Sequence, residues 1–153
     1  MSNHNATVSW QRGDAAFVDN RYSRAHRWQF DGGADIVAAA SPDVVPAAYT
    51  DASAVDPEEA FVAAIASCHM LWFLSLAAKD GWCVDTYADD AVGHMTPVRP
   101  GRLAFSEVVL RPRIAFAGER QPDAATVAAL HHDAHDRCFI ANSVRCAVRV
   151  ETV

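Results

Sequence analysis

Four cysteines, at positions 68, 83, 138 and 146, and seven histidines are the side chains of this 153-residue sequence best suited to nucleophilic, redox or metal chemistry. Cys146 alternates with valines in "SVRCAVRVE" and reads as a small hydrophobe on the buried face of a strand. Cys83 follows Trp82, and its nearest ionisable neighbour is an acid, Asp85, so it too reads as structural. Cys68 and Cys138 stand among polar residues that a plain core would not select, each on a helix. If those helices pack side by side the two thiols form a redox centre, since a disulfide needs Cα atoms within roughly 7 Å. Cys68 lies too far along its helix for the N-terminal dipole to favour a thiolate. A cation must do so, and Arg24 and Arg27 in "YSRAHRW" are the candidates; Arg24 is preferred because it shares a strand face with His26, Trp28 and Phe30.

His69 adjoins Cys68, but neighbouring helix positions point about 100° apart, which argues against a Cys-His dyad. In "HHDAHDRC", His131, His135 and Cys138 follow an i, i+4, i+7 pattern suited to zinc or another transition metal. The competing reading of His131, His132 and His135 is the polar flank of an amphipathic helix, and no metal is assigned.

The elements that must position these groups are legible from local signals. "AFVAAIASCHMLWFLSLAA" is long and apolar, interrupted by Ser67, His69 and Ser75. Asp56 as cap, Pro57 at the first helical position, Glu59 for a capping box, and Lys79 with Gly81 as stop signals predict a helix from Pro57 to Lys79. It is expected to be buried on most sides within a soluble core rather than to span a membrane. Upstream, "ATVSW", "AAFVD", "HRWQF" and "DIVAAA" read as strands joined by turns. Downstream, "CVDTYADDAVGHM" and "LAFSEVVLRPRIAF" read as strands around the turn "TPVRPGR", a hairpin with Pro112 on an edge. "DAATVAALHHDAHDRCFIAN" reads as a second helix with Val127, Leu130, Ala134 and Cys138 on one face, and "SVRCAVRVE" as a half-buried strand. The class is α+β, one domain over residues 1–153, with two helices on largely antiparallel strands.

A formal net charge of −6 argues against nucleic acid or an anionic membrane as partner. The N-terminal "MSNHNATVSW" lacks a basic run before an apolar core, so a cytoplasmic location is expected, where disulfides are transient or catalytic.

"VDPEEAFVAAIASCHMLWFLSLAAKDGW" and "LHHDAHDRCFIANSVRCAVRVE" resemble the two cysteine signatures of the OsmC/Ohr family, osmotically inducible protein C and organic hydroperoxide resistance protein. The resemblance spans the chain in element order. It implies two central helices on β-sheets, an intertwined homodimer, and a thiol peroxidase working without metal or cofactor. Cys68 would be peroxidatic, Cys138 resolving, and Arg24 with Glu58 the activating pair. The substrate would be an organic hydroperoxide and the reductant a dithiol, lipoyl-type by family analogy. Phe61, Met70, Trp72 and Phe73 would line the pocket, unless their mixed helical phase makes them core. His69 and the absence of Cys-Pro at "RCFIANS" depart from the hydroperoxide reductases and place the chain in a broader OsmC-like branch. The alternatives are a ligand binder or redox sensor on the same fold, or a His/Cys metalloprotein. Glu58 precedes Cys68 by ten residues, roughly 15 Å of helix, which favours a site shared across a homodimer.

Overall fold

The computed structural model describes residues 1–151, and the chain divides into two compact units, Met1–Ala60 and the remainder from Phe61. In the first unit, β1 (Ala6–Ser9), β2 (His26–Phe30) and β3 (Asp35–Ala38) form an antiparallel sheet in that order, with Val8 opposite Trp28 and Trp28 opposite Ile36. "AAFVD" is not a strand. Phe17 and Asn20 adopt positive φ values of 71° and 61°, which break an extended run. The Phe17 ring is held instead against Tyr22 (4.7 Å between centroids) and Trp10 (5.7 Å), so local packing overrides β propensity there.

Helix α1 (Pro57–Lys79) starts and stops where the sequence signals place it. The Glu59 amide donates to Asp56 Oδ1 (2.7 Å) and the Asp56 amide to Glu59 Oε2 (3.3 Å), completing the capping box. At the other end the Trp82 amide donates to the Ala77 carbonyl and the Gly81 amide to that of Ala78, while Gly81 sits at φ +78°. That is a Schellman stop, and it needs a residue without Cβ.

In the second unit, β4 (Cys83–Asp89) pairs antiparallel with β7 (Pro112–Ala117), and β5 (Val92–Arg99) with β6 (Arg102–Leu110). The hairpin turn is therefore Pro100 and Gly101 alone, and the residues from Thr96 to Arg99 extend β5. Pro112 does not belong to that hairpin: it opens β7 opposite Asp89, where a missing N–H is tolerated at a strand start. β8 (Ala147–Val150) joins β6 in parallel, because the chain crosses through β7 and α2 (Ala124–Arg137) before it returns. The architecture is α+β.

Two core clusters fix α1. Its first half packs Ile65 on Val108 and Leu110 of the β5–β6–β8 sheet; its second packs Phe73 and Ala77 against Leu130 and Ala134 of α2 over the β4–β7 sheet. Both clusters use one stripe, Ile65, His69, Phe73 and Ala77, at spacing i+4. The expectation of burial on most sides is thus corrected. Ala63, Ala64, Ser67, Leu71, Ser75 and Ala78 are exposed, since the elements of this unit cover only one face. By length and composition alone the helix is apolar enough to cross a membrane.

Candidate active site

Cys68 occupies the border between the buried stripe of α1 and its open face. It lines a groove of about 530 Å³, with Ala64, Ser67, Leu71, Trp72 and Ser75 from α1 and Phe139 and Ile140 from beyond α2. The two walls meet where the Trp72 and Phe139 rings pack edge to face at 5.5 Å. Most of this surface is apolar, so it suits a small apolar ligand brought up against a sulfur.

Cys138 is not on the helix, as its sequence pattern suggests, but caps it, with φ −65° and ψ 108°. Its extended backbone turns the chain into a short 3-10 turn, Ala141–Ser143, and Asn142 secures the corner by donating from its side chain to the Asp136 and Cys138 carbonyls (2.9 and 3.0 Å). The Ala141 amide points at Cys138 Sγ at 3.4 Å. The Cys138 side chain is wholly buried, and Cys68 lies near enough to influence its ionisation. Burial first, and then the Cys68 thiol, push Cys138 up to about 11, against the pull of the Ala141 amide. Both cysteines are free thiols. One sulfur is thus open to the groove while its neighbour is buried and protonated.

The other sequence candidates divide. Trp72 is on the groove wall. Phe73 is fully buried in the core, Phe61 stacks on Phe105 at 4.7 Å, and Met70 is half-buried away from the groove lining. Helical phase explains the difference: Phe73 lies on the buried stripe, whereas Phe61, Met70 and Trp72 lie on its flanks. Leu71, Phe139 and Ile140 were missed. Leu71 could have been found from phase, since it lies three residues from Cys68 on the same face; the other two depend on the turn after α2. Cys146 packs against the Ile65 cluster, and Cys83 is exposed at the start of β4.

In the first unit, the Arg24 guanidinium donates to the Asn20 carbonyl (3.0 Å), Asn20 Oδ1 (2.6 Å) and the Tyr22 carbonyl, and lies 3.8 Å from the Tyr22 ring centre. Arg27 is instead paired with Asp35 at 2.9 Å. The ion pairs among the described residues include neither Arg24 nor Glu58, which is half-buried in the first turn of α1. His26, missed as a partner, accepts from Trp28 Nε1 (2.9 Å) at Nε2 and so donates from Nδ1 to the Arg24 carbonyl (2.8 Å).

The histidines do not assemble as a metal site: among the described residues no three His, Cys, Asp or Glu side chains could hold an ion together. His132 points outward to Asp136 at 3.5 Å. His131 turns inward and meets His69, Nε2 of His69 lying 3.0 Å from Nδ1 of His131.

Residues 50–153 match the family described as OsmC-like protein. A solved OsmC-like protein of unknown function from Vibrio cholerae is similar over 100% of both chains, with 51% identity and a TM-score of 0.96. An organic hydroperoxide resistance protein from Legionella pneumophila has a TM-score of 0.70 at 17% identity, over 99% of this chain and 96% of that one. One from Bacillus subtilis has a TM-score of 0.68 at 17% identity, over 99% and 98%. No curated protein matches.

Proposed function

The chain belongs to the OsmC-like family, and from that premise we propose that it is a cysteine-based peroxidase that reduces organic hydroperoxides to alcohols. The observation that carries this reading is the pairing of Cys68 on an apolar groove wall with a buried, protonated Cys138 near it. A peroxide entering the groove meets Cys68 first. Its thiolate attacks the distal oxygen, the O–O bond breaks, and the leaving alkoxide takes a proton and departs as an alcohol. Cys68 is then a sulfenic acid. The Cys138 sulfur displaces the hydroxyl from it, and the Cys138 proton leaves with that hydroxyl as water. The Cys68–Cys138 disulfide is reopened by exchange with a dithiol reductant, lipoyl-type by family analogy.

Arg24 and Glu58 are proposed, by the family resemblance, as the cation that holds the thiolate and the carboxylate that orients it. Arg24 has no carboxylate partner among the described residues, unlike Arg27, which supports the choice between them. Glu58 lies roughly 15 Å along α1 from Cys68, and α1 leaves an apolar face open. Both support a homodimer with the site shared between subunits. A monomer in solution with full activity would remove that part of the proposal.

The test of the reaction is mass spectrometry of the reduced protein after one equivalent of cumene hydroperoxide. Rapid formation of a Cys68–Cys138 bond is expected. If both cysteines stay reduced, the peroxidase reading fails and a ligand-binding role on the same groove takes its place.

A further inference from the structure

The chemistry above makes no use of the His69–His131 pair. Both residues are buried, at 1% and 4% exposure, and they are the polar exceptions on the faces that α1 and α2 turn inward. Their rings lie nearly parallel, 9° apart, with the Phe73 ring 4.5 Å from His131. The 3.0 Å separation joins them by one N–H···N hydrogen bond. The outer nitrogens, His69 Nδ1 and His131 Nε2, have no protein partner among the described residues. A pair that desolvates four ring nitrogens and satisfies two adds little net stability over an apolar pair of similar volume. What it adds is direction.

Apolar side chains tolerate sliding, whereas a buried hydrogen bond is lost over shifts of less than an ångström. His69 is the residue next to Cys68. Cys138 follows His131 by seven positions, about two helical turns, so both come from one side of α2 and its cap. A slip of one helix past the other by the rise of a single residue, about 1.5 Å, would break the N···N bond. The same slip would shift Cys68 relative to Cys138, and a disulfide tolerates little departure from a Cβ···Cβ distance of about 4 Å.

We propose that the His69–His131 hydrogen bond is a positioning device that fixes the register of α1 against α2 and thereby holds Cys138 within bonding reach of Cys68. Its role in turnover rests on the two-thiol reading, but its effect on the thiols does not. The test is equilibration of the reduced protein with glutathione buffers. One glutathione disulfide oxidises the two thiols to a disulfide and is itself reduced to two glutathiones, and the Cys68–Cys138 bond is quantified by alkylation and peptide mapping. The double variant His69→Leu with His131→Leu is expected to keep or raise the thermal midpoint while its oxidation constant falls about tenfold, the scale of one lost buried hydrogen bond. The pair His69→Gln with His131→Asn places amide groups where the bonded ring nitrogens stand and restores the constant to within about threefold.

An unchanged constant in the Leu pair, or a Gln/Asn pair no better than it, overturns the proposal. If the Leu pair does not fold, His131→Leu alone gives the same comparison; failure of both to fold assigns the pair to the fold itself and also overturns it. Because glutathione replaces peroxide as oxidant, this outcome is separate from the peroxidase reading, whose failure would show as no sulfenic acid at Cys68.

Discussion

Cys138 is wholly buried beside Cys68, which lines the apolar groove, so only one thiol of the pair is open to the groove. That asymmetry, rather than the presence of two cysteines, is what the proposed division of roles rests on, and it can be probed residue by residue.

Replacing Cys138 with serine should trap the first chemical step. A Cys138→Ser protein treated with cumene hydroperoxide is expected to accumulate a sulfenic acid at Cys68, detectable by dimedone labelling, with turnover reduced at least about a hundredfold for want of a resolving thiol. Cys68→Ser should give no adduct at any cysteine under the same conditions. Labelling at Cys138 in that variant would reverse the assignment.

Burial holds the Cys138 thiol up to about 11, from an ordinary 9.0. At pH 7.5 it should therefore react with iodoacetamide at least about a hundredfold more slowly than exposed Cys83, because a buried, protonated thiol is a poor nucleophile with little access. The unfolded chain releases this proton first as pH rises, so the associated stability is present below about 9 and is lost as pH climbs towards 11. Equal alkylation of the two residues would contradict the burial of Cys138.

Burial, followed for His69 by its neighbours His131 and His135, holds both paired imidazoles down to about 4, from an ordinary 6.5. The unfolded chain takes up these protons near pH 6.5 and the folded one only near 4. Stability is therefore complete above 6.5 and falls as pH drops through that window. Urea midpoints measured from pH 7.5 to 4.5 should fall in the natural protein and stay nearly level in the double leucine variant; parallel profiles would count against the assignment.

Phe139 is 70% exposed, yet it forms one wall of the groove against Trp72. Phe139→Ala should lower kcat/KM for cumene hydroperoxide about tenfold, the equivalent of losing part of an aromatic contact, and leave that for hydrogen peroxide within about twofold. Equal losses for both peroxides would place Phe139 outside the substrate wall.

Gly93 tests how closely β5 approaches α1. A Cβ there would stand 2.5 Å from the Phe105 ring and 2.7 Å from a Val62 methyl group. Gly93→Ala should cost about 1–3 kcal/mol in denaturant unfolding. A neutral effect would mean that this face of the core can shift more easily than its packing indicates.

Much of this protein was readable locally. The bounds of α1 follow from Asp56, Pro57, Glu59, Lys79 and Gly81, because caps and stops act within one helical turn. The alternation of Leu110, Pro112, Ile114 and Phe116 is matched by their burial, although they belong to two strands in different sheets. The α+β class was legible for the same reason. What the sequence could not determine is anything fixed by partners distant along the chain. Phe17 left its expected strand because Trp10 and Tyr22 hold its ring. Phe73 went to the core and Phe139 to the groove because the crossing of α1 and α2 decides which helix phase is covered. His69 and His131, 62 positions apart, read as a spare histidine and the polar flank of a helix until tertiary packing set them 3.0 Å from each other. Periodicity specifies the face of one element; only the packing of two elements specifies which side chains meet.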